Sequence, residues 1–135
     1  MNERSHRALW WLRLSPLLCV LALSAAGIQP TRTLSGRDGL IAMAAAHALV
    51  LVTAYATLAV TVRKIREVPL KKRFAIAMRA GVIQLLLTLL LAVAVVLQSL
   101  LNRTPFLLWI AIGYVVVNQV QAVLIVRWMS TLGKE

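Results

Sequence analysis

Four stretches almost free of charged residues occupy most of this chain, at about residues 14–31, 39–62, 80–102 and 104–126. A helix needs about 20 apolar residues to cross a hydrocarbon core about 30 Å thick. Lipid offers no partner for backbone N–H and C=O groups, so only helices and closed barrels cross it. The pattern therefore predicts an all-α fold, a four-transmembrane-helix bundle with antiparallel neighbours.

Composition favours a single membrane domain over residues 1–135, with spans at about 9–29, 39–64, 74–102 and 105–128. Hydrophobic residues make up 61% of the 135 residues, and the connections between spans are short. A net charge of +11 would suggest a nucleic-acid partner in a soluble protein. No aromatic residues alternate with the basic ones to stack on bases. We therefore expect no nucleic acid, and a lipid bilayer with anionic headgroups as the partner.

Basic residues are distributed unevenly between the two predicted sides of the membrane. One side receives only Arg32, Arg37 and Arg103 of the 15 Lys and Arg residues, so the other receives 15 − 3 = 12. The positive-inside rule then places both termini in the cytoplasm. The connection after span two holds six basic residues that would bind lipid phosphates or dock an acidic loop of a partner protein: Arg63, Lys64, Arg66, Lys71, Lys72 and Arg73.

Two features mark the predicted span ends. Residues 29–39 are rich in turn formers and are predicted to be the outer loop between spans one and two. Trp10, Trp11, Trp109 and Trp128 lie near the ends of spans one and four, where indole rings favour the membrane interface.

Polar side chains inside the last two spans follow helical spacing. No Asp or Glu lies in any span, which disfavours a proton or cation pathway. An antiparallel hairpin would place Gln84 against Gln121 and Thr88 against Asn118, with Tyr114 on the same face. Interhelical hydrogen bonds of this kind contribute about 0.6 to 2 kcal/mol each. We expect them to hold the helices together, and a partner or permeation surface is the alternative.

The second span has two distinct faces. Ala42, Ala45, Ala56 and Ala59 form a small-residue face suited to close helix contact with this chain or a partner. On the opposite face, His47 is expected to bond to Tyr114 or to a backbone carbonyl. Neutral histidine also ligates haem or donates to a quinone. Haem in a helix bundle generally takes two histidines, so a second chain would have to supply the other ligand.

Catalytic patterns are missing from the sequence. There is no Ser/His/Asp set, no Cys/His pair, no paired carboxylates and no phosphate-binding loop. The one cysteine, Cys19, has no CxxC partner. We predict no enzyme activity, no catalytic residues, no cofactor and no metal site.

The six residues from Glu67 to Lys72, followed directly by an apolar span, resemble the corresponding stretch of ATP synthase protein I sequences. The resemblance implies a small multi-pass protein of the bacterial inner (plasma) membrane that assists assembly or stability of the ATP synthase rotor ring. Many members of that family carry a Gly-Glu pair followed by Lys early in span three. Residues 80–82 are Ala-Gly-Val here, so a role for that glutamate does not carry over.

These observations together predict a non-enzymatic accessory protein that helps a larger membrane complex to assemble, with a membrane protein or further copies of this chain as the partner. The alternatives are a small oligomeric transporter or holin-like pore, and a respiratory subunit in which His47 contacts haem or quinone.

Overall fold

Three helices make up the fold in the computed structural model, which describes residues 2–99 and 101–133. Helix α1 runs Glu3–Glu67, helix α2 Leu70–Leu97 and helix α3 Arg103–Leu132. The predicted all-helical character is confirmed, and no strand lies in the described ranges. The predicted count of four separate helices is wrong. The first two predicted spans belong to a single helical element.

The predicted outer loop at residues 29–39 is the source of the wrong count. These residues are helical, Pro30 included, and within α1 only Gly36 has non-helical angles, at φ 63° and ψ −151°. Glycine adopts this conformation because it has no Cβ atom; in any other residue the Cβ atom would clash with the backbone. One residue of this kind reverses the chain, so no irregular loop is required. Turn-forming composition indicated the place of the reversal but not its length.

At Gly36 helix α1 folds back on itself, and we call residues 3–35 the first limb and residues 37–67 the second limb. A straight helix of 65 residues would be about 98 Å long. Instead, the Tyr55 hydroxyl of the second limb donates to the Arg13 carbonyl of the first at 2.8 Å. Nearer the reversal, Thr31 Oγ1 donates to Met43 Sδ at 3.7 Å. The two limbs therefore pack antiparallel along their length.

The start of α1, the end of α3 and the α1–α2 connection lie at one end of the bundle, which we call the basic end. Ser5 Oγ donates to Thr131 Oγ1 at 3.1 Å, which joins the start of α1 to the end of α3. At Val68 and Pro69 the chain turns into α2, and the Arg73 Nε donates to the Val68 carbonyl at 3.2 Å. The basic residues of this connection are thus gathered beside the start of α1 and the end of α3.

Buried side chains form three clusters along the bundle. The cluster at the basic end contains Leu9, Leu12, Leu58, Val62, Ile65 and Trp128. The middle cluster contains Val20, Val50, Ala54 and Val117. The cluster at the other end contains Ala42, Ala46, Ala92, Phe106 and Ile110. Trp128 is fully buried among the helices and does not face the surroundings of the bundle, whereas Trp10 and Trp11 are exposed.

All three helices are long and apolar enough to cross a membrane, judged by length and composition. Helix α2 is the least enclosed of the three. In its 28 residues only Gln84, Thr88 and Ala92 are buried, and two of these three side chains are polar. The contact between α2 and the rest of the bundle is therefore narrow and partly hydrogen-bonded.

Candidate functional site

A cleft of about 420 Å³ lies between the second limb of α1, α2 and α3, and we call it the polar cleft. Much of its lining is apolar, with side chains such as Met78, Leu85 and Ile125. Polar groups reach it from all three helices: Thr57, Thr61, Gln84, Tyr114, Asn118 and Gln121, with Gly81 between them. Four of the sequence-predicted site residues, Gln84, Tyr114, Asn118 and Gln121, thus share one cavity.

Gln84 is among the most deeply buried polar side chains of the cleft. It is 3% exposed, and its Nε2 has no hydrogen-bond partner. Since 84 − 70 = 14 and 97 − 84 = 13, it lies about 20 Å from either end of α2. An unpaired amide at that depth in hydrocarbon costs several kcal/mol. Because Gln84 lines the cleft, its amide could turn into the cleft, where a hydrogen-bond acceptor from outside this chain would remove that cost.

Tyr114 and Gly81 bring α2 and α3 together at the cleft. The Tyr114 hydroxyl donates to the Gly81 carbonyl at 3.3 Å. A Cβ atom on Gly81 would lie 3.8 Å from Asn118 Oδ1, an ordinary contact distance. His47 was predicted to bond to Tyr114 or to a backbone carbonyl; instead the Tyr114 phenol reaches a backbone carbonyl of α2, and His47 Nδ1 lies beside the Ser24 hydroxyl.

The predicted pairs between the last two helices do not form as expected. Thr88 Oγ1 donates to Thr53 Oγ1 of the second limb at 3.2 Å, and its predicted partner was Asn118. Gln84 and Gln121 line the same cleft, but within the described ranges no hydrogen bond joins them. The predicted pairs considered only the last two helices. In the structure the second limb of α1 also packs against α2, and its Thr53 is the partner of Thr88.

The sequence analysis missed a ladder of threonines on the second limb. Thr57 Oγ1 donates to the Thr53 carbonyl and Thr61 Oγ1 to the Thr57 carbonyl, each at 2.7 Å. Each of these two hydroxyl groups donates its proton within its own helix, and both residues line the cleft. Toward another group in the cleft, their oxygens can therefore act only as acceptors. The four-residue spacing of Thr53, Thr57 and Thr61 was the available signal, since it places all three on one helix face.

His47 lies away from the cleft in a tightly packed site between the limbs and α3. Its Nδ1 is 2.8 Å from Ser24 Oγ, and its ring meets the Trp109 ring edge-on at 5.4 Å between centroids. The residue is 3% exposed, and Nε2 has no partner. A haem ligand supplied by another chain would first have to displace these neighbours, which weighs against the haem alternative.

The remaining predicted site residues lie at separate places. Ala42 is buried and Ala45 half-buried, whereas Ala56 and Ala59 are exposed on the outside of the second limb. The alanine face therefore packs inside the chain only near the Gly36 end. Five of the six basic residues of the connection are exposed, and Arg73 is half-buried; Arg63 pairs with Glu67 at 3.4 Å.

The polar cleft can hold a hydrogen-bond acceptor with an apolar body. Its lining contains amides, hydroxyls and a phenol, and no carboxylate, imidazole or thiol. In the part of the chain that the structure describes, no three His, Cys, Asp or Glu side chains gather as metal ligands.

The fold and the cleft define an all-helical protein with three candidate membrane-spanning helices. Comparison with protein-family models, with curated proteins and with solved structures gives no match. The resemblance to ATP synthase protein I therefore stays a hypothesis.

Proposed function

We infer that this chain is a non-enzymatic membrane accessory protein that binds a transmembrane segment of a partner at the polar cleft and so helps a larger complex to assemble. The observation that carries the proposal is the buried, unpartnered amide of Gln84 in a cleft bordered by three helices. A partner helix that presents a side-chain oxygen or a free carbonyl at this depth would satisfy it. Polar contacts of this type fix helix pairing in membranes.

The loose attachment of α2 supports the same proposal. Apolar residues of α2 that line the cleft, such as Met78 and Val82, are about 60% exposed, so an incoming helix would meet an apolar surface beside a polar centre. Lipid chains cover an apolar surface as well as a protein does, but they cannot bond to an amide. The polar centre therefore favours a protein over bulk lipid.

The resemblance at Glu67 to Lys72 suggests the partner, and the ATP synthase rotor in the bacterial inner membrane is the named candidate. The exposed cations of the connection would add a second contact. Arg63, Lys64 and Arg66 precede Pro69, and Lys71 and Lys72 follow it, so a partner's acidic loop would meet both helix ends.

Site-specific photocross-linking in native membranes tests this proposal. A photoreactive amino acid replaces either Leu85 or Leu86, which are exposed neighbours at the same depth, although only Leu85 lines the cleft. We expect position 85 to label a transmembrane segment of one partner, identified by mass spectrometry, and position 86 not to label it. Gln84→Leu should abolish that adduct. Equal labelling from both positions, or labelling that survives Gln84→Leu, contradicts the proposal.

A transporter or pore would use the same polar residues between copies of this chain. Liposome flux separates that alternative from partner binding, because an assembly factor conducts nothing by itself. Flux above background in the purified protein, lost in Asn118→Leu and Gln121→Leu, would favour the pore. Background flux together with the Leu85 adduct favours the accessory role.

A further inference from the structure

A second groove, of about 550 Å³, lies between the first limb and α3, and we call it the arginine groove. Arg4 and Arg7 line it from the first limb and Arg127 from α3. Deeper along the groove the lining becomes apolar, with Leu18, Val120 and Leu124. The groove is therefore cationic at the basic end of the bundle and apolar toward the middle.

Helical spacing explains why these residues share one groove. Arg4, Arg7, Trp11, Ser15 and Leu18 recur every three to four residues on the first limb. Val120, Leu124, Arg127 and Thr131 do the same on α3. Positions three or four apart fall on one face of a helix, so two faces that meet here each run from charged to apolar.

The length of the groove matches one leaflet of a bilayer. From Arg4 to Leu18 is 18 − 4 = 14 residues, or about 21 Å, and from Val120 to Thr131 is 131 − 120 = 11 residues, or about 17 Å. One leaflet contributes about 15 Å of hydrocarbon, with the headgroup layer beyond it. The cations would then lie at headgroup depth and Leu124 beside the acyl chains.

The cations of the groove are poorly neutralised. In the described ranges Arg4 and Arg127 have no carboxylate partner, and Arg7 has only the exposed Glu3 at 3.6 Å. The nearby hydroxyls are already committed, since Ser15 donates to the Leu12 carbonyl at 2.8 Å and Thr131 to the Trp128 carbonyl at 2.6 Å. Guanidinium groups remain to bind a ligand, and they match phosphate oxygens in geometry.

We propose that the arginine groove binds one anionic glycerophospholipid, with its phosphate at Arg4, Arg7 and Arg127 and an acyl chain along Leu18 and Leu124. The charge gradient and the leaflet-scale length together favour a lipid over a peptide or a soluble anion. This site is separate from the exposed cations of the α1–α2 connection, and it does not depend on the polar cleft.

Native mass spectrometry of the full-length protein tests the proposal, after reconstitution in phosphatidylcholine vesicles with or without phosphatidylglycerol. The groove variant is Arg4→Gln with Arg127→Gln. The matched control is Arg13→Gln with Arg79→Gln, which removes the same charge from exposed positions that lie outside both the groove and the basic α1–α2 connection. We expect saturable phosphatidylglycerol binding that weakens at least about tenfold in the groove variant and less than twofold in the control.

Two further arms decide the source of the phosphate and the role of charge. Glycerol 3-phosphate carries the phosphate without chains and should not displace the lipid; displacement by it would indicate an anion site and overturn the lipid proposal. Arg4→Lys with Arg127→Lys keeps the charge and should restore most of the binding, which also shows that the chain still folds. Equal weakening in the groove and control variants, or equal retention of phosphatidylcholine, contradicts the proposal.

Discussion

Ser24 Oγ lies 2.8 Å from His47 Nδ1, and this bond joins the two limbs of α1 about a third of the way from Gly36 to the basic end. The two residues are 23 positions apart, which would be about 35 Å in a straight helix. Beside them the Trp109 Nε1 donates to Thr31 Oγ1 at 2.9 Å, so α3 is bonded to the first limb as well. These two bonds hold three helical segments together in the half of the bundle nearer Gly36.

Ser24→Ala should destabilise the protein by about 1 kcal/mol, because it leaves His47 Nδ1 buried and unpaired beside Nε2, which already has no partner. Unfolding of the purified protein by SDS titration in mixed micelles measures the change. Thr33→Ala is the control, since the Thr33 hydroxyl donates only to the Gln29 carbonyl of its own helix and is exposed. Equal losses in the two variants would show that the bond between the limbs adds nothing.

Gly36→Ala should destabilise the protein by about 1 to 3 kcal/mol, because alanine strains a backbone at φ 63° and ψ −151°. Open space surrounds the position, so the cost comes from the backbone and not from a clash with a neighbour. Gly81→Ala is the matched control, since a Cβ there makes only an ordinary contact with Asn118. The same unfolding assay checks both, and a Gly36→Ala variant as stable as Gly81→Ala would contradict the reversal at this residue.

Ser99→Gly should stabilise the protein by about 0.5 to 1 kcal/mol. Ser99 follows the end of α2 at φ 55°, and its N–H donates to the Val96 carbonyl at 3.1 Å. Glycine adopts this left-handed conformation without the Cβ penalty. Ser130→Gly, inside α3, should instead lower stability by up to about 1 kcal/mol. Thermal unfolding in detergent, followed by circular dichroism, distinguishes the two directions.

Gln84→Leu and Thr88→Val should act in opposite directions on the isolated protein. Leucine removes an unpaired buried amide, so we expect stability to be unchanged or higher by about 1 kcal/mol. Valine breaks the bond to Thr53 and should cost about 0.6 to 2 kcal/mol. The stability of both variants is measured by SDS titration of the purified protein, in the absence of any partner protein. A large loss in Gln84→Leu would mean that the amide is satisfied within this chain, and the proposed cleft function would lose its basis.

The candidate site could be predicted in part, because spacing along one helix is a local property. Gln84 and Thr88 were expected to face inward together, and both are buried. Tyr114, Asn118 and Gln121 were expected on one face of the last helix, and all three line the polar cleft. Their partners could not be predicted, since these depend on which helix fills the space opposite. Thr53 occupies that space for Thr88.

The amino-acid sequence alone determined that the chain is helical and apolar enough for a membrane, because hydrocarbon permits few backbone arrangements and residue spacing sets the faces of each helix. Only the tertiary structure decided that residues 3–67 form one helix that reverses at Gly36. The reversal depends on the backbone angles of this one residue, and composition cannot show that the residues around it stay helical. Packing likewise decided which polar groups remain unpaired. The Gln84 amide nitrogen has no partner, whereas the Thr88 hydroxyl donates to Thr53, although the two residues lie one helical turn apart on the same face.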